Sequence, residues 1–375
     1  MRLIEIRTAG FRNLVSESVS WSGASNLVAG ANGQGKTNLL EAIAVLGNLR
    51  SFRVPSMRQV VAHGELEFFL EARVETLGGV VRLSQHVTVG PPVRRVLEIG
   101  GSAASVAQYL QVFPVFTLSG SDRELVAGGP NARRAFLDRF AFLLENEFFD
   151  EIFSYRRTLR QRNAALVSAV GDHEMEVWEA RLARAAAVVV HRRRRMSQRL
   201  VESFEAIYSE LRSDGFPRVD LSYRGEAGLE QAEKVLELEE HYQKRYNETR
   251  VRDRRTGFTN EGPHRHDLGL RAGGRTVRHM LSSGQSKVVG AALRLASLTQ
   301  VERQRGEPLP VIIDDVDAEL DTVVLARLIE YLEGERQLFL SSADGGVFQK
   351  LKTGSNRLEI RQGRLTGTAG ERLDE

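Results

Sequence analysis

The order of apolar and polar positions divides the chain into three stretches. Near the N-terminus Leu3-Ile4-Glu5-Ile6 and Asn26-Leu27-Val28-Ala29 read as short strands. Asn13 to Ser25 between them is polar and rich in turn formers. Asn38 to Leu46 has helical spacing. Leu66 to Ile99 alternates, with turns at Gly78-Gly79 and Gly90-Pro91-Pro92, as an antiparallel meander does. From about Asn131 to Arg252 the period becomes helical. Glu176 to Leu211 reads as one helix of roughly 35 residues, about 50 Å long, with an apolar stripe of Leu182, Ala185, Val189, Leu200, Phe204 and Ile207. Gly228 to Arg252 is a second such run, carrying Leu229, Val235, Leu238 and Tyr242.

Strand signals return late. Leu309 to Ile313 is fully apolar, as a central parallel strand should be. Gln337 to Leu340 is a second such run, and Arg357 to Leu365 reads as a hairpin around Gln362-Gly363. Strands, then helices, then strands describe an α/β protein with a helical lobe inserted into it. The expected divisions are 1–110, 111–261 and 262–375.

A length of 375 residues allows more than one domain, and 42% hydrophobic with 27% charged residues is ordinary for a soluble globular protein. The absence of cysteine excludes disulfides and thiolate metal sites and fits a reducing cytoplasm. The N-terminal "MRLIEIRTAG" alternates like a strand and not like a signal peptide. No apolar run approaches the roughly 18 residues of a membrane span, so no membrane partner is expected. The net charge of +3 is mild, but the cations are clustered. They are also skewed: of 52 Lys+Arg only six are lysine, and Lys36 is the sole lysine before Lys234.

Lys36 lies in "GANGQGKT", Gly30 to Thr37, which fits G-x-x-x-x-G-K-[ST] between a strand and a helix. Gly30, Gly33 and Gly35 allow positive φ, so backbone N–H groups can face inward and make an anion nest at a helix N-terminus. A compact ammonium reaches between phosphates where a planar guanidinium does not fit, and this explains the lysine. Thr37 would offer its hydroxyl to Mg²⁺. The second motif is "VIIDD", Val311 to Asp315, an apolar strand ending in two acids. Asp314 would hold Mg²⁺ and Asp315 would accept the proton of an attacking water. The third is "LSSGQ", Leu281 to Gln285, before a helical run from Ser286 to Arg303. Ser282 and the N–H groups of Ser283 and Gly284 would form a second anion site, suited to a phosphate held by another copy of the chain. Read singly, these are a glycine turn, an acidic turn and an N-cap; their co-occurrence gives them weight.

Phosphate loop, "LSSGQ", "VIIDD" and "DAELD" (Asp317 to Asp321), with "FRNL" (Phe11 to Leu14), "RSFR" (Arg50 to Arg53), "GGPNARRAFLD" (Gly128 to Asp138), "RQRNAAL" (Arg160 to Leu166) and "GPHRHDL" (Gly262 to Leu268), run nearly end to end. Together they resemble the ABC-type ATPases and, more narrowly, the RecF family of bacterial recombination mediators, related to the heads of structural-maintenance-of-chromosomes proteins. The resemblance implies an ABC-type ATPase head, with mixed sheets around the phosphate loop and an inserted helical lobe. It also implies an ATP site with Mg²⁺. Gly30, Ala31, Asn32, Gly33, Gln34, Gly35, Lys36, Thr37 and Asn38 match its phosphate loop, and Arg12 and Asn13 the N-terminal turn near the nucleotide. Asp314 and Asp315 match its acids, Ser282, Gly284 and Gln285 its signature, and Glu319 and Asp321 the loop linking two sites across a dimer. Its implied partners are double-stranded and gapped DNA, a second copy of the chain, RecR, RecO and RecA, with a cytoplasmic, nucleoid-associated location. This sequence departs from the family pattern at three places: Gly120-Ser121 stand where Pro-Glu is usual, His266 where Asp is commoner, and Ser341-Ser342-Ala343-Asp344 contain no histidine.

Arg133, Arg134, Arg156, Arg160 and Asn163, the run His191 to Arg195, and the run Lys244 to Arg255 are the candidate duplex contacts. Few aromatics interleave with them, so stacking on single strands is not suggested. The competing reading of each run is a helix face neutralised by its own acids. A transporter ATPase subunit would place its signature about 100 positions after the phosphate loop, whereas about 245 separate Lys36 and Ser282. A chromosome-organising or nuclease-associated head would carry long heptad arms, and none is present. His264 and His266 lack a third ligand for zinc.

Overall fold

The computed structural model describes residues 1–21, 25–226, 228–229, 232–316, 322–343 and 356–366. Glu319, Asp321 and Asp344 lie outside the described residues. The chain forms two compact units. Met1–Arg123, Tyr208–Asp214 and Ser282–Glu375 make the first; Glu124–Ile207 and Gly215–Leu281 make the second.

The first unit begins with β1 (Arg2–Ala9), β2 (Ser18–Ser20), β3 (Ser25–Ala29), α1 (Lys36–Asn48), β4 (Glu67–Thr76), β5 (Gly79–Thr88), β6 (Arg94–Ile99), β7 (Ser102–Ala103), α2 (Val106–Val112) and β8 (Phe116–Leu118). Then come α3 (Arg123–Ala127), α4 (Pro130–Leu144), α5 (Phe148–Val167), α6 (Asp172–Leu211), β9 (Asp220–Arg224), α7 (Val235–Thr256), β10 (Asp267–Ala272) and β11 (Arg275–Thr276). The first unit resumes with α8 (Ser283–Arg305), β12 (Val311–Ile313), α9 (Thr322–Leu332), β13 (Leu338–Ser342), β14 (Asn356–Arg361) and β15 (Arg364–Leu365).

The first unit contains two sheets. The expected meander is present in an antiparallel sheet of order β2-β1-β4-β5-β6-β7. β4 turns Phe68, Leu70, Ala72 and Val74 to the core, as its alternation requires. The other sheet has the order β15-β14-β3-β13-β12-β8, and its five strands from β14 to β8 are parallel. β3 and β12 are buried along their whole length, which is why β12 reads as an uninterrupted apolar run, while β3 buries Ser25 and Asn26 before its apolar Leu27-Val28-Ala29. Parallel pairing brings the carboxyl ends of β3, β12 and β13 to one edge. The glycine loop leaves β3 there and Asp314-Asp315 leave β12 there, so two motifs far apart in sequence share one crevice.

The sequence divisions at 110/111 and 261/262 differ from those of the compact units at 123/124 and 281/282. β8 pairs with β12 and so belongs to the first unit, while β10 pairs with β9 in the second. A three-residue strand has no readable period, and the alternating Asp220–Arg224 lies inside a stretch that reads as helical.

In the second unit α6 runs for 40 residues from Asp172, starting earlier than its apolar stripe indicates. α7 starts at Val235, not near Gly228: the Glu237 carboxylate accepts the N–H groups of Glu233 (2.9 Å) and Lys234 (3.1 Å), fixing the helix start there. Three helices meet on one buried cation. Arg162 of α5 donates to Glu179 of α6 (3.0 Å), Asp253 of α7 (2.9 Å) and Thr259 (2.8 Å), and Arg162, Glu179 and Asp253 are all fully buried. Among the described residues no helix is long and apolar enough to cross a membrane.

Breaking such a buried network strands its acids. Arg162→Leu should lower unfolding free energy by about 3–5 kcal/mol, read as a lower urea midpoint for the helical unit; an unchanged midpoint would show that the network contributes nothing.

Candidate nucleotide site at the strand ends

The loop leaving β3 is held open by its glycines. Gly30 has φ 150° and Gly35 φ 118°, and a Cβ on Gly30 would stand 2.6 Å from the Ile360 carbonyl oxygen. The β14–β15 turn braces the loop from outside, since the Gln362 N–H donates to Gln34 Oε1 and the Gly363 N–H to the Gln34 carbonyl, each at 2.8 Å. Ala31, Asn32 and Gly33 are exposed at the tip. α1 begins at Lys36, two residues before the apolar spacing starts, so the loop runs directly into a helix N-terminus.

Lys36 is 7% exposed and folds back over the loop, donating from Nζ to the carbonyls of Gly30 (2.6 Å) and Ala31 (3.1 Å). The ammonium thus sits inside the loop's curve, held only by neutral acceptors. Thr37 neighbours Asp314 and favours its carboxylate form. Asp314 Oδ1 accepts from the Ser341 hydroxyl (2.8 Å), and the same hydroxyl accepts the Asp315 N–H (2.7 Å). Ser341, fully buried at the end of β13, therefore fixes both acids at once. Asp315 needs that support, because its φ is 53°, a region that L-residues avoid. Burial pushes the Asp314 carboxyl above its usual value, aided by the Asp315 charge, while Ser341, Thr37 and the Arg53 charge oppose the rise.

Arg12 and Asn13 lie in the turn after β1. Arg12 has φ 52° and forms a bidentate pair with Glu41, both bonds 2.9 Å. Asn13 Oδ1 accepts from Asn38 (2.7 Å), and Asn38 Oδ1 accepts from Arg53 (2.9 Å). Glu41, fully buried on α1, also receives the Ser51 hydroxyl and lies 3.6 Å from Arg53. Sequence reasoning missed Glu41 and Ser341. A carboxylate inside the apolar run "NLLEAIAVL" was a usable signal for the first; nothing local marks the second.

Ser282 caps α8. Its Oγ accepts the Gln285 N–H (3.2 Å), and Gln285 Oε1 accepts the Ser282 N–H (3.0 Å). Ser282, Ser283 and Gly284 are exposed, and no hydrogen bond among the described residues joins Ser282, Gly284 or Gln285 to the phosphate loop. The structure brings Gly30–Asn38, Arg12, Asn13, Asp314 and Asp315 together and leaves the serine turn facing outward.

Most of the candidate DNA-contacting arginines are engaged internally. In the second unit Arg133 is bidentate to Asp267, Arg156 and Arg193 share Asp138, and Arg192 and Arg195 share Glu145. Arg194 donates to the Ala232 and Leu229 carbonyls. In the Lys244–Arg255 run, Arg245 pairs with Glu261, Arg250 with Glu179 and Arg254 with Asp172. Asn163 is spent on Thr259, whereas Arg160 is exposed without an ion pair among the described residues. His264 bonds Tyr155 (2.6 Å) and the Thr259 carbonyl (3.0 Å). Burial pushes the His266 ring below its usual value, so it serves as a neutral link between Tyr223 and Glu226.

A glycine loop at a helix head, a lysine within it, and two acids at the next strand end define a phosphate-loop α/β head. The family model described as RecF/RecN/SMC N terminal domain matches residues 2–364. The DNA replication and repair protein RecF of Anaeromyxobacter dehalogenans (strain 2CP-C) is 34% identical over 346 residues, covering 92% of this chain and 93% of that protein. This chain belongs to the RecF family of DNA replication and repair proteins. A solved structure of the recombination mediator RecF with ATP, from the RecFOR pathway, has TM-score 0.89 at 27% identity and covers 97% of this chain and 98% of its own. An Smc head with an extended coiled coil, from a complex derived from Pyrococcus furiosus, shares the fold at TM-score 0.53 and 15% identity, covering 98% and 96%.

An acid whose folded pKa is raised favours the folded state only while protonated, and it penalises the fold once pH exceeds the raised value. Asp314→Asn should therefore raise the thermal midpoint of the nucleotide-free protein at pH 7, by about 2 °C for each kcal/mol relieved. The gain should fade as pH drops toward the unfolded value of about 3.9. A pH series of scanning calorimetry reads this; a gain independent of pH would place its origin elsewhere.

Proposed function

We propose that this chain is an ATP-dependent DNA-binding switch of recombinational repair and replication restart, with a weak ATPase that resets it. The observation that carries the reading is the Lys36 ammonium, held by the Gly30 and Ala31 carbonyls beside the Thr37–Asp314 pair. A triphosphate entering the loop offers charged oxygens in place of those neutral acceptors, so Lys36 gains a stronger partner without leaving the loop. The N–H groups at the head of α1 face the same anion. The RecF structure with ATP supports the nucleotide assignment.

The Thr37 hydroxyl and the Asp314 carboxylate are neighbouring hard oxygen donors, a set that would fit Mg²⁺. When bound, Mg²⁺ neutralises phosphate oxygens. Asp315, presented by Ser341 and its left-handed backbone, accepts the proton of a water attacking the γ-phosphorus while Lys36 stabilises the charge on the departing diphosphate. Ser282 and the free N–H groups at the head of α8 fit the γ-phosphate held by a second copy, making ATP the glue of a homodimer. Double-stranded and gapped DNA would bind the closed dimer. The RecFOR relative supports RecO and RecR as partners, and loading of RecA is the corresponding task.

The test is a sizing measurement with and without ATP. Wild type should become dimeric with ATP, Lys36→Arg should stay monomeric, and Ser282→Arg should stay monomeric while still binding nucleotide. Asp315→Asn should dimerise but hydrolyse roughly 10²–10⁴-fold more slowly. Wild type that remains monomeric with saturating ATP would falsify the switch.

A further inference from the structure

Many arginines of the second unit are committed to internal acids, and those without an ion pair among the described residues are candidates for an outside anion where they gather at one place. Half-buried Arg224 and exposed Arg271 lie in the three-stranded sheet of order β11-β10-β9, and exposed Arg278 stands in the turn that follows β11. β10 buries Leu268, Leu270 and Ala272 on one face, so Asp267, Gly269 and Arg271 point to the other. Register places Arg224 beside Asp267, Ser222 beside Gly269, Asp220 beside Arg271 on β9, and Thr276 beside Arg271 on β11. The turn that fixes this register is Gly273-Gly274, with φ 53° and 77°, as a two-residue hairpin needs.

Arg224 lies flat across the bare backbone of Gly269, where a Cβ would stand 2.5 Å from its Nε. Among the described residues its one hydrogen bond is a long 3.4 Å contact to the Ser222 hydroxyl. Burial and the neighbouring Arg271 charge both disfavour its charged form. Two guanidiniums are thus crowded on one face, although a like pair repels. Asp267 eases the charge on Arg224 but is already bidentate to Arg133, and Asp220 pairs with Arg218 at 3.5 Å. Arg271 and Arg278 are exposed and make no ion pair among the described residues. A cleft of about 60 Å³ is lined by Arg133 with its partner Asp267, by Arg224, Thr276 and Arg278, by the backbone of Gly269, and by apolar side chains including Val126 and Val277. That is about two water volumes, room for a tetrahedral oxyanion and not for a base.

We propose that this sheet face is a phosphate seat for the backbone of duplex DNA, with Arg224 and Arg278 gripping one phosphate in the cleft and Arg271 meeting its neighbour. The site rests on the DNA-binding reading above and adds where the lobe holds the duplex. Gly269 is required because a side chain there would displace Arg224, and Thr276 offers a hydroxyl to the same oxygen shell. A duplex rather than a small anion is the ligand, because Arg271 on β10 and Arg278 in the turn after β11 are both exposed and only a chain of phosphates engages both.

The test compares wild type, the triple variant Arg224→Gln/Arg271→Gln/Arg278→Gln, and Arg156→Gln/Arg195→Gln as an ion-paired control. Duplex affinity is measured with ATP over a salt series, using a fluorescent duplex, and ATP-analogue binding reports that each protein is folded. Each lost phosphate contact lowers the log–log salt slope by about 0.9, so the triple variant should lose about 2–3 in slope and on the order of 100-fold in affinity near 0.1 M salt. The control should keep the wild-type slope, and the single exposed change Arg278→Glu should already weaken binding. If wild type binds duplex and the triple variant matches it in slope and affinity, this face is not the seat. If the control loses as much as the triple variant, the effect is general charge and the assignment also fails. If wild type binds no duplex in any nucleotide state, the DNA-binding reading falls and this site with it.

Discussion

The structure turns on one buried ammonium. Lys36 is 7% exposed, is bonded to two carbonyls of its own loop, and among the described residues makes no ion pair with a carboxylate. A charge so placed is costly unless an anion completes it, and much of the first unit serves to keep it there. Parallel pairing of β3 with β13 and of β13 with β12 sets the loop against the acids. The β14–β15 turn stops the loop from collapsing outward. Glu41 gathers Arg12 and Arg53 on the helix side of the crevice. Ser341 holds Asp315 in a backbone conformation it would not otherwise keep. These contacts preorganise a phosphate site before any nucleotide arrives, which spares the reorganisation that binding would otherwise cost.

The helical unit uses charge differently. Its arginines are mostly mortar. Arg162, Arg193 and Arg133 tie elements distant in sequence, each to an acid that is itself buried or nearly so. Such networks add little net stability relative to an apolar core, but they penalise every arrangement that separates the partners. A lobe whose helices must keep one geometry while the other unit binds and releases nucleotide benefits from that kind of specificity. Arg160, Arg271 and Arg278 are among the exposed arginines that make no ion pair among the described residues.

Much of the fold was legible because long periodic runs report their own structure. The meander from Leu66 to Ile99, the helix ending at Leu211, the apolar β12 and the hairpin at Gln362-Gly363 all follow from spacing. β8 and β9 did not: one is three residues long, and the other is a strand only because β10 lies beside it. The loop and the acid pair were legible because their chemistry is compressed into a few consecutive residues. Glu41 and Ser341 were not, since their roles arise from neighbours brought in by the sheet. The arginine runs misled for the same reason: Asp138 is 55 residues from Arg193, and Asp253 is 91 from Arg162, so no local pattern reveals that the charge is already taken.

The central claim is that a triphosphate held by the Gly30–Thr37 loop of one copy is closed over by the Ser282 turn of another. The absence of cysteine from the sequence allows a direct measurement. Two singly substituted proteins, Ala31→Cys at the loop tip and Ser283→Cys at the head of α8, are mixed and treated with a short bifunctional thiol reagent. The account predicts a mixed cross-linked dimer with ATP and Mg²⁺ and none with ADP or without nucleotide. Cross-linking that fails with ATP, or that proceeds equally without it, would contradict the claim.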